Sequence, residues 1–178
     1  KDYANASKMF EKKIECDPRS LTAYINAASS YMQAPKNLTR ARELLVKAIE
    51  LKPDFLQAKI WLARYYAEVD SVSAMKLMYD EVIKLGNEDA SKNKSSLNEA
   101  YLQLGSYYFS QKNYAVALDN FRKALTYGES AALDLTIGQC LILTRGDNPD
   151  ENKKRTEEAI LKFRRCVQLE SCNAQGHF

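Results

Sequence analysis

A chain of 178 residues, 46% hydrophobic and 28% charged, has the composition of a folded protein with a sizeable core and not that of a disordered one. A formal net charge of +3 is too small to imply nucleic acid or an anionic membrane as partner. No apolar run approaches the roughly 20 residues that cross a bilayer, and the opening KDYANASKMFEKKIE lacks the pattern of a signal peptide.

Six glycines and four prolines leave few breaks, so long helices are expected, and they follow in chain order. Residues 1–18 supply one helix, with Tyr3, Ala6 and Phe10 on a shared face and Pro18 beyond its end. Residues 19–53 supply two: Tyr24, Ala27, Ala28 and Tyr31 mark the first, and Ala41, Leu45 and Ala48 mark the second before Pro53. Residues 54–87 repeat the pattern with Leu62, Ala63 and Tyr66, then Met75, Tyr79 and Val82; Lys59 stands where the previous pair has Tyr24, and Asn87 where it has Pro53. In residues 97–129 the pattern is clearest: Tyr101, Leu104, Gly105 and Tyr108, then Ala117, Phe121 and Ala124. Residues 130–170 carry Ile137, Gly138 and Leu141, then Ala159, Phe163 and Cys166, with Asp134 in the aromatic place and a connection longer by about nine residues. Residues 171–178, SCNAQGHF, read as the stub of a further first helix.

A helix pair recurring about every 34 residues, with aromatic, Leu-Gly and Tyr places followed by A-x3-F and Pro, resembles the tetratricopeptide repeat family. The resemblance implies an all-α fold, a right-handed superhelical solenoid of stacked antiparallel helix hairpins, here as a single array fragment over residues 1–178. On this reading the chain starts inside a repeat, has lost its end caps and exposes end helices through which it could self-associate.

Helical spacing gives each helix one stripe for its hairpin partner and another for the neighbouring repeat. Small residues occupy the close approaches: Ala28, Ala63, Gly105 and Gly138 in first helices, and Ala6, Ala41 and Ala117 in second helices. A glycine inside a helix costs up to about 1 kcal/mol against alanine, so Gly105 and Gly138 read as packing positions. Ser96 with Glu99 reads as a capping box, and Asn148-Pro149 with Glu151 as an N-cap with a helix-first proline, which lengthens the following helix by about two turns. Cys16, Cys140 and Cys166 fall on apolar stripes and read as small core residues; with Cys172, they match no metal-site or disulfide-scaffold spacing.

The family resemblance implies a concave wall of first helices that binds peptides or partner proteins and does no chemistry. The residues expected on it are Ile25, Ile60, Leu102 and Leu135 as an aliphatic ladder, then Asn26, Trp61 and Gln103, then Ser29, Arg64, Ser106 and Gln139 one turn on. Trp61 and Arg64 are the hot-spot candidates. Two alternatives stay open: the ladder could pack against the next repeat, and Trp61 could turn inward. One subclass of the family holds acidic chaperone tails in a two-carboxylate clamp of Lys, Asn and Arg. The matching positions here, Ile25, Ser29, Trp61, Glu99 and Gln103, or Ile60, Arg64, Gln103, Ala132 and Thr136, do not form one.

No nucleophile with a base, metal cluster or phosphate loop is legible, so no catalytic residue, cofactor or metal is expected. His177, the single histidine, lies in the terminal stub, and Glu157 with Glu158 reads as a solvent-facing charge. The expected partner is a protein or peptide, with no nucleic acid and no membrane insertion in this segment. Two other readings are carried: a regulatory or assembly segment of a larger protein whose enzyme domain lies outside it, and an RNA binder using Lys153, Lys154, Arg155, Arg164 and Arg165. The compartment is undetermined between cytoplasm and bacterial periplasm.

Overall fold

The computed structural model describes residues 2–33, 36–144 and 146–175, apart from the side chains of 170–175. Among these residues the regular structure is helical, with no strand. The chain divides into two compact units, Lys1–Ala90 and Ser91–Phe178, where one array had been expected.

The first unit holds α1 (Tyr3–Cys16), α2 (Leu21–Gln33), α3 (Leu38–Leu51), α4 (Leu56–Glu68), α5 (Val72–Gly86) and a 3-10 turn at Asn87–Asp89. Each helix packs on the next in sequence, as short connections dictate, and α2 also touches α4. Side-chain caps start two of them: Asp2 accepts from the Asn5 amide at 3.1 Å and Asn37 from the Arg40 amide at 3.0 Å. Tyr24, Ala28, Ala41, Leu45, Ala48 and Leu62 build the core, three of them alanines that let the backbones close up. A polar tie joins the first three helices. Tyr31 on α2 and Arg40 on α3 each donate to Glu11 on α1 at 2.8 Å. Burial pushes the Glu11 carboxyl up, but the bonds from Arg40 and Tyr31 outweigh it and leave it below its ordinary range.

The second unit holds α6 (Lys94–Ser110), α7 (Tyr114–Tyr127), α8 (Ala131–Leu143) and α9 (Pro149–Gln175), again packed in chain order. Asn113, Ser130 and Asn148 cap α7, α8 and α9, and Asn148 receives both the Asp150 and Glu151 amides, as the Asn-Pro reading anticipated. The Ser96–Glu99 box does not begin α6. That helix starts at Lys94 behind Asn93, one turn earlier, where Leu97 is fully buried and draws the extra residues into helical register. Helix α9 runs unbroken through Gln175, so residues 171–175 continue it and are not a separate stub. His177 lies outside the described residues.

The two mid-helix glycines are packing positions. A Cβ on Gly105 would stand 2.7 Å from Cδ1 and Cε1 of Phe121, and one on Gly138 would stand 2.8 Å from Cδ1 of Phe163 and closer still to its Cε1. Each phenylalanine lies directly over the bare backbone of the partner helix.

Cysteine placement corrects one expectation. Cys140 and Cys166 are buried, but Cys16 is exposed, because two residues beyond the half-buried Ile14 it points to the opposite side of α1. Burial pushes the Cys140 thiol up to about 11. In a Cys172→Ser background, a thiol reagent at about pH 8 should modify Cys16 promptly and reach Cys140 and Cys166 only in denaturant. Mass spectrometry of the labelled peptides checks this, and prompt labelling of Cys140 in folded protein would contradict it.

Candidate functional site

The expected wall residues sit on first helices, α2 and α4 in one unit and α6 and α8 in the other. In the first unit α2 and α4 touch, which brings Asn26 and Ser29 onto a helix adjacent to that of Trp61 and Arg64. Asn26 is exposed, while Ser29, Trp61 and Arg64 are half-buried. Trp61 packs one side against the core, and the Arg64 guanidinium lies 4.6 Å from its ring centroid. The indole is therefore shared between interior and surface, held by a cation-π contact worth about 0.5–1 kcal/mol at a partly exposed site. The hydroxyls of Ser29 and Ser30 both donate to the Asn26 carbonyl, at 3.0 and 2.8 Å, leaving the Asn26 side-chain amide at the surface.

Half of the aliphatic ladder is not on the wall. Ile25 is 6% exposed and Ile60 1%. Helix α2 touches α1, α3 and α4, and α4 touches α2, α3 and α5, so each is covered round most of its circumference and the position beside the opening place turns inward. In the second unit Leu102 is half-buried against the core and Leu135 is 41% exposed. Gln103, Ser106 and Gln139 are exposed.

The opening place of each first helix shows chemistry that the repeat pattern did not reveal. Tyr24 donates its hydroxyl to the Pro18 carbonyl at 3.1 Å, and the Tyr101 ring stacks on Tyr127 at 6.0 Å between centroids. The two departures from an aromatic are ion pairs of opposite polarity. Lys59 on α4 meets Glu81 on α5 at 2.5 Å, and Asp134 on α8 meets Lys162 on α9 at 2.9 Å. Asp134 has no exposed surface; its second oxygen lies 3.4 Å from Nε of Arg165, itself bound to Glu129 at 2.5 Å. The hydrogen bond and charge of Arg165 hold the Glu129 carboxyl below its ordinary range. A charge in an aromatic place, with the opposite charge on the stripe of the following helix, was the sequence signal for both pairs.

Two of the five residues of the basic cluster are engaged in the fold, while Lys153, Lys154 and Arg164 are exposed. Arg155 donates to the Thr144 carbonyl and pairs with Glu151 at 3.5 Å, while Arg165 is engaged as described. Glu158 is no free surface charge either: half-buried, it accepts both its bonds from Arg122 on α7 at 2.7 Å. Three concavities among the described residues lie away from the expected wall residues. One of about 340 Å³ is lined by Val46, Ile49, Leu62 and Met78 beside the Lys59–Glu81 pair. A second, of about 510 Å³, runs along α9 at Ile160, Phe163 and Val167. A third, of about 530 Å³, is lined by the α6–α7 turn at Lys112 and Asn113 and by residues of α7, the end of α8 and α9. Among the described residues no group of His, Cys, Asp and Glu could hold a metal ion, and no helix is long and apolar enough to cross a membrane.

Known proteins bear on this geometry in three ways. A sequence profile of the tetratricopeptide repeat matches residues 99–127, the copy in which the pattern is clearest. The Protein STIP1 homolog of Dictyostelium discoideum is 39% identical over 75 residues, which cover 40% of this chain and 12% of that protein's length. Among solved structures, MamA superposes with a TM-score of 0.69 at 20% identity, covering 98% of this chain and 92% of its own. BtubC (BKLC) from P. vanneervenii superposes with a TM-score of 0.74 at 14% identity, covering 97% of this chain and 75% of its own. Likeness at these identities speaks for the fold.

Proposed function

Because the chain is a tetratricopeptide-repeat protein, we propose that it serves as a non-enzymatic interaction scaffold, gripping a peptide or helical segment of a partner protein on the exposed sides of its first helices. The observation that carries this reading is the Trp61–Arg64 pair on α4, with Asn26 exposed on the adjoining helix α2. A half-buried indole under a guanidinium supplies apolar area, a charge and hydrogen-bond donors with little side-chain entropy left to lose. Amides and hydroxyls around it suit a bound backbone. In the second unit, Leu135 with Gln103, Ser106 and Gln139 offers a similar mixture on α6 and α8. Ile25 and Ile60 shape these helices from beneath and meet no partner in this reading.

The test uses a partner retrieved by the full chain, identified and purified. Asn26→Glu with Arg64→Glu should weaken its binding by about tenfold or more, the loss of roughly one charge-assisted contact and its neighbour. Arg42→Glu, on the exposed side of α3, should leave affinity within about twofold. Helical circular dichroism should match the parent for all of these variants. Equal affinity in parent and wall variant would place the binding surface elsewhere.

A further inference from the structure

Beside the Lys59–Glu81 pair, the cavity of about 340 Å³ lies between the end of α3, α4 and α5, and neither Trp61 nor Arg64 lines it. Its size falls within the roughly 300–1,000 Å³ usual for ligand pockets. The repeat explains why it is there. Lys59 stands where Tyr24 and Tyr101 stand in their repeats, and Pro53 stands where Pro18 does, whose carbonyl accepts the Tyr24 hydroxyl at 3.1 Å. Ile49 likewise takes the place of Ile14, which packs on the cluster that holds Tyr24. A lysine stem is narrower than a phenol ring, and no described aromatic residue lines the space beside it. The charge above the ring place is inverted as well. The Lys123 ammonium lies over the Tyr101 ring, 5.8 Å from its centroid, and the same place on α5 holds Glu81.

Charge and lining narrow the ligand. Val46, Ile49 and Met78, all half-buried, and the exposed Pro53 give apolar walls that a ligand reaches without opening the core. Lys59 and Glu81 answer each other at 2.5 Å, and Glu50 is answered by Lys47 at 3.0 Å. A cationic ligand would repel Lys59 and an anionic one Glu81, so the cavity suits a neutral one. The Glu81 carboxylate, 38% exposed, has acceptor capacity beyond the bond from Lys59, and an ammonium favours the face of an aromatic ring. We propose that this cavity binds a small neutral phenol, its ring against Val46, Ile49 and Met78 beside the Lys59 ammonium and its hydroxyl donating to Glu81. Tyr24 and Tyr101 are the chain's own versions of that ligand, carried covalently in the equivalent place.

The probe is p-cresol, titrated into the full chain isotopically labelled at its methionine methyls and followed by NMR. The Met78 methyl, assigned with Met78→Leu, should shift and saturate with a Kd of about 1 mM or below, while Met9, 70% exposed on α1, stays still. p-Cresol should bind at least about fivefold more tightly than 4-methylanisole, which keeps the ring and the oxygen but has no hydroxyl to donate. Lys59→Tyr puts a phenol of the chain into the cavity, as the equivalent place has with Tyr24, and should abolish the Met78 response with helical circular dichroism unchanged. Lys59→Met with Glu81→Leu, a matched apolar pair, should keep the cavity and bring the ratio of the two ligands close to one. No Met78 shift, equal binding of the two ligands by the parent, or a preference that survives the double variant would overturn the proposal. So would binding that persists in folded Lys59→Tyr; if that variant does not fold, the double variant decides. Tighter binding of N-acetyltyrosine amide than of p-cresol would overturn it too, assigning the cavity to a tyrosine of a partner protein.

Discussion

Lys162→Met should destabilise the second unit by about 3–5 kcal/mol, the cost of stranding a buried charge. Asp134 has no exposed surface, and Lys162, at 17% exposure, supplies the nearer of its two cations at 2.9 Å. Arg165, 3.4 Å from the other oxygen, is 38% exposed and shared with Glu129, so it cannot replace the lysine. Adding Asp134→Leu to Lys162→Met should restore stability to within about 1 kcal/mol of the parent or above it, because a matched apolar pair needs no desolvated charge. The equivalent places in two other repeats hold Tyr24 and Tyr101, so the position accommodates bulk. Urea denaturation of parent, singles and double closes the cycle. A single variant that costs less than about 1 kcal/mol would mean the pair is not desolvated in solution.

Gly138→Ala should be the second large effect. Alanine gains up to about 1 kcal/mol of helix propensity over glycine, but the added methyl meets the Phe163 ring well inside van der Waals distance, and overpacking costs typically about 1–3 kcal/mol. The net expectation is a lower melting temperature, by about 2–4 °C for each kcal/mol lost. Gly105→Ala against Phe121 should behave alike and more mildly. Phe163→Leu should make Gly138→Ala cheaper than it is in the parent, a positive coupling readable as a double-mutant cycle. Gly146, which has nothing within 4 Å of a built Cβ, is the control, and Gly146→Ala should leave melting nearly unchanged.

What was legible in the sequence was whatever the 3.6-residue period controls. Tyr24 through Tyr31, Leu104 with Gly105, and Ala117 with Phe121 announce helices and close approaches because each stripe is local and repeated. Asn148-Pro149 was readable since a cap acts within one turn. Ser96 misled because a serine near a glutamate looks the same inside a helix as at its start, and only the burial of Leu97 decides between them. Cys172 was assigned to a new helix by repeat phase, although nothing between Gln168 and Cys172 breaks one, and α9 continues. Ile25 and Ile60 went astray for another reason. Whether a position beside the opening place is wall or interior depends on how many helices surround it, which no single helix encodes. The division after Ala90 was likewise hidden, since it is a property of contacts across the chain.

The two ion pairs in the aromatic places have a bearing on assembly. Arrays of similar modules are prone to wrong pairing during folding, because any hairpin half offers roughly the stripe that any other wants. Here the signs oppose the exchange: with Phe163 in the place of Tyr79, α4 joined to α9 would set Lys59 against Arg165, one turn from Lys162, and α8 joined to α5 would set Asp134 against Glu81. Like charges brought together there repel, most strongly at the fully buried Asp134. Each of these two hairpins thus carries a lock keyed to its own second half, and mistaken identity is penalised at the first step of closure.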